Sequence, residues 1–339
     1  MGHFDGQCST SRVNRRTFIV TIASSLLGGP YVSRAQQPAM PMIGFINGGS
    51  PGGSAYLVAA FRQGLRETGF IDGQNVGIDV RWTEGHSDRA PATTRELVQL
   101  RVALLAVGGG SAVRRAAKDA TATIPIVFVT GADPIHEGLV ASLGRPTGNI
   151  TGIAVPTITL NAKRLELLDQ LVPRGDTIAV LANPAVSWTD ARAREMQMAA
   201  RAMARRIQVL NASSEREIDV AFTNLATMRA SGLLISADPL FSGQLRQLVD
   251  LSKRFRIPAI FEWREFATAG GLMSYGSDIA NGYREAGVYA GRILNGTKPS
   301  ELPVLQATKF EFVINLATAK SLGLTIPQSL LFRADDVIQ

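Results

Sequence analysis

The chain has 339 residues, of which 45% are hydrophobic and 19% charged, and this composition excludes an intrinsically disordered protein. Its length favours about two domains over one small core. The formal net charge is +7, but Lys and Arg are scattered, without the basic block that is typical of nucleic-acid binding, so we expect no nucleic-acid partner.

Residues 1–35 have the pattern of an export signal. Arg15 and Arg16 precede the letters "TFI", as in a twin-arginine signal. The apolar stretch after them is shorter than the roughly 20 residues of a membrane-spanning helix. Because Ser33 and Ala35 occupy the small positions of a cleavage site, we predict cleavage after Ala35 and a soluble protein in the periplasm. An uncleaved amphipathic leader is the alternative interpretation.

Cleavage at this position would change both the charge and the cysteine content. It would remove four arginines and one aspartate, so that the net charge falls from +7 to +4. It would also remove Cys8, the only cysteine, so the mature chain would form no disulfide. Because Cys8 precedes the apolar stretch, we do not expect it to carry a lipid anchor.

Strand and helix patterns alternate from Met42 onward. The strand "MIGFIN" is followed by a glycine-rich turn and a helix with one apolar face, for which we predict Ser54 as N-cap. Further strands are predicted at "VGIDVRW", "VALLAV" and "IPIVFVT", and further helices at "APATTRELVQL", "AVRRAAKDA" and "HEGLVASLG", the second of these capped by Ser111. This order is typical of a parallel sheet that helices cover on both faces.

The segment "GRPTGNITGIA" interrupts this alternation, and we place there a crossing to a second α/β unit. Strands and helices alternate again until "GGLMSYGS", which predicts a strand that crosses back. We therefore predict an α/β protein with two Rossmann-like lobes and parallel sheets: an N-terminal lobe at 42–152 and a C-terminal lobe at 153–274. Residues 275–339 would form the crossover, a helix on the N-terminal lobe and the C-terminal tail.

Ligands of open parallel sheets bind beyond the carboxyl ends of the strands, so two such lobes predict a small-molecule site in the cleft between them. The candidates for ligand contact lie at or near predicted strand ends: Ser50, Ser111, Thr130, Ala132, Asp133, Asn183, Trp188, Asp238, Phe241, Glu262 and Tyr275.

The tripeptide Ala-Asp-Pro follows a predicted strand in each lobe, at Asp133 and at Asp238. An aspartate there can accept hydrogen bonds from backbone N–H groups and start a turn, and the following proline fixes φ for a helix. Each aspartate is therefore either a helix cap or a ligand contact on its own wall of the cleft. The sequence leaves both interpretations open.

Two short motifs suggest catalysis or metal binding, and each is incomplete. The stretch "GGSPG" around Ser50 matches a nucleophile elbow, but the mature chain offers only His86 and His136 as bases. His136 and Glu137 begin a zinc motif whose second histidine is replaced by Val140. We therefore expect no catalytic residue, no metal and no cofactor, and keep a serine hydrolase that uses Ser50 as the alternative.

Several long stretches resemble one known family. They include "FRQGLRETGFIDGQNVGIDVRW", "LVASLGRPTGNITGI", "WREFATAGGLMSYG" and "INLATAKSLGLTIPQSLLFRADDVIQ". From about Met42 to its end, the chain is similar to the periplasmic substrate-binding proteins of ABC transporters in the ABC_sub_bind group, which include tryptophan/tyrosine-type binders. The resemblance implies a type I periplasmic binding fold with about three crossovers at a hinge. It also implies a protein without catalytic activity, which binds a small solute and presents it to an ABC permease, and it suggests an amino acid, often an aromatic one, as the solute. We expect the protein to be a monomer.

For an amino-acid ligand, the candidate residues at the predicted strand ends divide into three roles. Hydroxyl and N–H groups near Ser50, Ser111 and Thr130, including the turn "GGGS", would hold the carboxylate. Asp238 or Glu262 would receive the ammonium group.

An aromatic ring of the ligand, if it has one, would pack on Trp188, Phe241 or Tyr275. A ligand-sensing domain of a receptor or repressor is a further alternative. No helix-turn-helix pattern precedes Met42 and no second membrane segment follows it, which counts against both kinds of sensor.

Overall fold

The structure, a computed structural model, describes residues 1–3, 6, 40–173, 177–185 and 190–339. The chain divides into the units Met1–Ala39 and Met40–Gln339, and every described strand and helix lies in the second unit. The predicted export signal and the cleavage position at Ala35 lie outside the described residues, as does Trp188.

The first sheet has six strands: β1 (Met42–Asn47), β2 (Gly77–Trp82), β3 (Leu104–Gly108), β4 (Ile126–Thr130), β5 (Ile150–Ala154) and β11 (Leu305–Gln306). Their spatial order is β11-β5-β4-β3-β1-β2, and every pairing is parallel. The helices of this first lobe are α1 (Pro51–Glu67), α2 (Ala90–Gln99), α3 (Ser111–Ala120) and α10 (Ile279–Leu294), with a 3-10 turn at Ser87–Arg89.

The second sheet has seven strands: β6 (Thr177–Ala182), β7 (Arg206–Asn211), β8 (Gly232–Ile235), β9 (Ala259–Phe261), β10 (Met273–Ser277), β12 (Phe310–Asn315) and β13 (Asp336–Ile338). Their order is β13-β12-β10-β9-β8-β6-β7. Only the β10–β12 pair among these described pairings is antiparallel, because β12 enters this sheet from the first lobe. The prediction of two α/β lobes with largely parallel sheets is confirmed.

The helices of this second lobe are mostly short. They are α4 (Asn161–Asp169), α5 (Asp190–Ala202), α6 (Glu215–Thr227), α7 (Pro239–Gly243), α8 (Leu245–Arg254), α9 (Arg264–Thr268), α11 (Leu316–Ser321) and α12 (Gln328–Leu331), with a 3-10 turn at Ile158–Leu160. A further 3-10 turn, Pro299–Glu301, packs on β5 of the first lobe.

The chain passes between the two sheets three times, after β5, after β10 and after β11. The second passage includes α10, which packs so closely against α1 that the backbones of the two helices are in contact. A Cβ atom at Gly64 would lie 1.8 Å from the Arg284 carbonyl oxygen, and one at Gly287 would lie 2.1 Å from the Phe61 carbonyl oxygen. The two glycines therefore allow a late helix to dock on the first lobe.

Three local predictions are wrong. Helix α1 begins at Pro51 with Ser50 as N-cap, because Pro fits the first helical position, and Ser54 lies buried within the helix. Helix α3 begins at Ser111 itself, after Gly110 with φ of 118°. Residues 136–144 form a turn followed by bends and irregular backbone instead of a helix.

Candidate functional site

A cavity of about 130 Å³ lies between the lobes, at the carboxyl ends of strands from both sheets. Asn47 ends β1, Gly109 follows β3, Gly131 follows β4, Asp238 follows β8 by three positions, and Glu262 follows β9. Further lining residues are Gly49, Ser54, Tyr56, Leu57, Gly110, Ser111, Arg114, Val129, Ala132, Glu137, Thr157, Arg192, Ala237, Pro239, Ser242, Trp263, Ile279 and Tyr283. This position agrees with the general location of ligand sites in open parallel sheets.

Four of the candidates from the sequence meet at this cavity: Ser111 and Ala132 from the first lobe, and Asp238 and Glu262 from the second. The other described candidates are not in its lining: Ser50, Thr130, Asp133, Asn183, Phe241 and Tyr275.

Ser50 contacts the opposite lobe outside the cavity. Its Oγ donates a hydrogen bond of 3.2 Å to the Gly243 carbonyl oxygen. Ser50 also borders a second, wider cavity of about 670 Å³, which His86 lines as well. The serine therefore joins the two lobes, and no hydrogen bond between it and a histidine occurs among the described residues.

Thr130 supports a buried ion pair instead of lining the cavity. Its Oγ1 donates a hydrogen bond of 2.9 Å to Glu137 Oε2. Arg114 donates two bonds to the same carboxylate, from Nε at 3.0 Å and from Nη2 at 2.6 Å. Such bidentate contact fixes both side chains, and both line the cavity. Glu137, which belongs to the helix predicted at "HEGLVASLG", is instead one half of this pair.

The two aspartates of the Ala-Asp-Pro repeats have different environments. Asp133 is exposed, and its Oδ1 accepts hydrogen bonds from the N–H groups of Ile135 at 2.8 Å and His136 at 3.3 Å. Asp238 is buried, caps α7 by accepting a bond of 2.9 Å from Leu240 N–H, and also lines the cavity. Only the second aspartate combines the two roles.

Asn183 lies behind Asp238. Its Nδ2 donates a hydrogen bond of 3.1 Å to Asp238 Oδ1, and its own Oδ1 accepts one of 3.0 Å from Ala185 N–H. The amide thus orients the carboxylate from outside the cavity wall.

Glu262 is a buried acid in the wall of the second lobe, with 3% of its surface exposed. Burial raises the pKa of its carboxyl to about 8, although the charge of Arg164 and hydrogen bonding to Ser242 and Trp263 oppose the rise. Arg164 is fully buried below it and donates to Tyr275 O at 2.7 Å and to Asn161 Oδ1 at 2.7 Å.

Aromatic side chains line the cavity, but Phe241 and Tyr275, two of the residues that we assigned to the ring of the ligand, are not among them. Phe241 is fully buried in the core, and Tyr275 packs on the rings of Phe310 and Phe312, at centroid distances of 6.2 and 6.4 Å. The aromatic lining comes from Tyr56 in α1, Trp263 after β9 and Tyr283 in α10.

Sequence reasoning missed Tyr283, because α10 reaches this wall only through the chain's return to the first lobe. Its hydroxyl accepts a hydrogen bond of 2.6 Å from Asn47 Nδ2 at the end of β1. Trp263 offered a signal, since it stands beside the candidate Glu262 at a predicted strand end.

Arg192 of α5 adds a second guanidinium to the cavity besides Arg114. Burial lowers the pKa of Arg192, while the nearby carboxylates of Glu137 and Asp238 act in the opposite direction. The lining therefore contains guanidinium and carboxylate groups side by side, an arrangement that can receive a ligand with both a negative and a positive group.

Two further properties concern the described residues 40–173, 177–185 and 190–339. No three His, Cys, Asp or Glu side chains there cluster in a way that could hold a metal ion. No helix in this part is long and apolar enough to cross a membrane.

Comparison with known proteins identifies the family. The family described as ABC transporter substrate binding protein matches residues 51–338. A tyrosine-binding protein of Clostridioides difficile is 26% identical over 265 residues, which cover 78% of this chain and 75% of that protein.

Two solved structures have the same fold. The ABC domain from Streptococcus pneumoniae in complex with L-Trp has a TM-score of 0.76 at 24% identity, covering 88% of this chain and 99% of that one. A conserved domain protein from Vibrio cholerae has a TM-score of 0.78 at 22% identity, with the same coverage. The chain belongs to the ABC transporter substrate-binding proteins, which are not enzymes, and it has their type I periplasmic binding fold.

Proposed function

We propose that this protein binds an aromatic L-amino acid in the cavity between the lobes and presents it to an ABC permease. One observation carries the proposal: guanidinium and carboxylate groups stand in the same cavity as three aromatic side chains. An amino acid with a ring is the small solute that matches both sets of groups.

The ammonium group of the ligand would bind Asp238. This carboxylate lines the cavity and is held by hydrogen bonds from Asn183 and from the Leu240 N–H group. Both donors favour a charged carboxylate, and a charged carboxylate forms the stronger hydrogen bond with an ammonium group.

The carboxylate of the ligand would bind Arg192 and the N–H groups at the start of α3, near Ser111. A guanidinium can donate two parallel hydrogen bonds to a carboxylate. Arg114 already donates two hydrogen bonds to Glu137, so its contribution to this wall is its positive charge.

The ring would pack among Tyr56, Trp263 and Tyr283, with Leu57 and Ile279 beside them. The known ligands of two similar proteins, tyrosine and L-Trp, agree with an aromatic solute.

Capture would proceed by closure of the lobes about the three crossings, with contacts from both lobes favouring the closed state. We further propose that the protein works as a monomer in the periplasm, after export by the leader that residues 1–35 predict. The alternative of a serine hydrolase is wrong, because the family is not enzymatic and Ser50 contacts the backbone of Gly243.

Calorimetric titration with L-Trp, L-Tyr, L-Phe, L-Leu, L-Glu and L-Lys tests the proposal. We expect saturable binding of aromatic amino acids and much weaker binding of the others. Indole propionate and tryptamine, each of which lacks one charged group, are the matched controls and should bind weakly. Tight binding of a non-aromatic amino acid would contradict the proposal, and so would the absence of binding by all six amino acids.

A further inference from the structure

We infer that Glu262 accepts or shares a hydrogen bond with an N–H or O–H group on the ring of the ligand, so that the cavity selects aromatic amino acids with a ring donor over those without one. This inference rests on the proposed function and concerns specificity within it. The groups that form this polar subsite are Glu262, Ser242 and Trp263.

The three side chains form one hydrogen-bonded group in the wall of the second lobe. Ser242 Oγ is hydrogen-bonded to Glu262 Oε1. Trp263 Nε1 donates a bond of 3.3 Å to the same Oγ. All three residues line the cavity, and α7 and the end of β9 hold them in place. The carboxyl is therefore fixed in direction before a ligand arrives.

The subsite lies on the aromatic side of the cavity. Trp263 belongs to both the polar subsite and the aromatic lining. Tyr56 faces it from α1, close enough that the charges of Glu265 and Glu262 add to the effect of burial and raise the pKa of the Tyr56 hydroxyl. Arg192, by contrast, feels mainly the carboxylates of Glu137 and Asp238. Asp238 adjoins the polar subsite, because Ser242 Oγ also donates a hydrogen bond of 3.1 Å to the Asp238 carbonyl oxygen. A ligand whose ammonium group meets Asp238 and whose ring packs on Trp263 therefore has Glu262 within its reach.

The hydrogen-bonding capacity of Glu262 exceeds what the protein supplies. An ionised carboxylate has about four lone-pair positions, and a protonated carboxyl has one O–H donor besides its acceptor positions. Among the described residues, Ser242 is the side chain hydrogen-bonded to it, while Trp263 donates to Ser242. When the lobes close, the carboxyl of Glu262 loses its hydrogen bonds to water. A ring without a donor cannot replace those bonds, and this loss disfavours such ligands.

The charge state of Glu262 favours a neutral partner over an ammonium group. Burial raises the pKa of its carboxyl to about 8, so that most molecules carry the proton there at neutral pH. A neutral carboxyl matches an indole N–H or a phenol O–H group better than it matches a cation. Asp238, with its two N–H donors, is the better partner for the cation.

The first test uses the unchanged protein and matched ligands. Calorimetry would compare L-Trp with benzothienylalanine, in which sulfur replaces the indole N–H group, and L-Tyr with O-methyltyrosine and L-Phe. We expect each ligand with a ring donor to bind at least about 10-fold more tightly than its partner without one. Equal affinities within a pair that binds would overturn the inference and leave the proposed function intact.

The second test uses Glu262→Met, which removes the carboxyl at similar size. The ratio between L-Trp and benzothienylalanine should fall to near one, with the affinity for benzothienylalanine retained or raised. Glu265→Gln is the control, because Glu265 is a neighbouring, half-buried acid outside the cavity lining and its replacement should leave the ratio unchanged.

The remaining outcomes are also decisive. An equal loss of affinity for both ligands in Glu262→Met would overturn the inference, since it would indicate that Glu262 binds the ammonium group. Binding of no amino acid to the unchanged protein would overturn the proposed function and the inference together. If Glu262→Met does not fold, the comparison of matched ligands decides alone.

Discussion

Gly53 in α1 of the first lobe lies directly against Gly243 at the end of α7 in the second lobe. A Cβ atom at Gly53 would stand 2.4 Å from the Gly243 carbonyl oxygen. The same oxygen accepts the hydrogen bond of Ser50, 3.2 Å away. Neither Gly53 nor Gly243 lines the 130 Å³ cavity, so this contact holds the lobes together without touching a ligand bound there.

A side chain at Gly53 should therefore weaken ligand binding by opposing closure. We expect Gly53→Ala to lower the affinity for the ligand by about 10-fold, because the closed state would lose population while the cavity stays unchanged. Gly52→Ala is the matched control, since a Cβ there has no atom within 4 Å. Titration calorimetry of both variants measures the effect, and equal affinities would show that the contact does not limit closure.

Neutralising Asp238 should cost ligand affinity, whereas the same change at Asp133 should not. Asp238→Asn keeps an oxygen for Asn183 and Leu240 but removes the charge that an ammonium group needs, so we expect about 10- to 100-fold weaker binding. Asp133→Asn changes an exposed turn residue outside the cavity lining. Carrying out both titrations again with indole propionate checks the cause, because without an ammonium group the two variants should be equal.

Removing the guanidinium of Arg114 should destabilise the fold strongly. Arg114→Met leaves Glu137 without its partner, with 15% of that side chain exposed, and we expect a loss of about 3 kcal/mol in the free energy of unfolding. The control is Asp72→Asn, which breaks the more exposed pair with Arg62 and should cost less than about 1 kcal/mol. Urea denaturation followed by circular dichroism measures both, and similar losses would contradict the prediction.

Stability should fall as the pH rises from about 4.5 to about 8. Burial raises the pKa of Glu262 from 4.5 to about 8 and that of Glu265 from 4.5 to about 7. In this window the folded chain binds more protons at these carboxyls than the unfolded chain does, so the free energy of unfolding decreases with pH.

Urea denaturation across this pH range tests whether Glu262 causes the pH dependence of stability, with Glu262→Gln as the comparison. The glutamine in the variant does not titrate, so the free energy of unfolding of the variant should depend less on pH. An equal slope for both proteins would mean that Glu262 does not carry the effect.

The sequence predicted the architecture well because its signals are local. The apolar face of α1 and the short apolar strands depend on residues a few positions apart, and both lobes follow from them. The predicted helix at 136–144 failed for a tertiary reason. Glu137 pairs there with Arg114, 23 positions earlier, and the chain turns at Gly138 with φ of 68°.

For the site, the pattern of strands and helices predicted that strand ends of two lobes supply the candidates, and Ser111, Ala132, Asp238 and Glu262 do line the cavity. The packing of distant segments decided that Asp133 remains at an exposed turn. It also decided that Tyr283 contacts Asn47 across 236 positions. Strands and helices depend on residues a few positions apart, whereas the wall of a cavity forms only when segments far apart in sequence pack together.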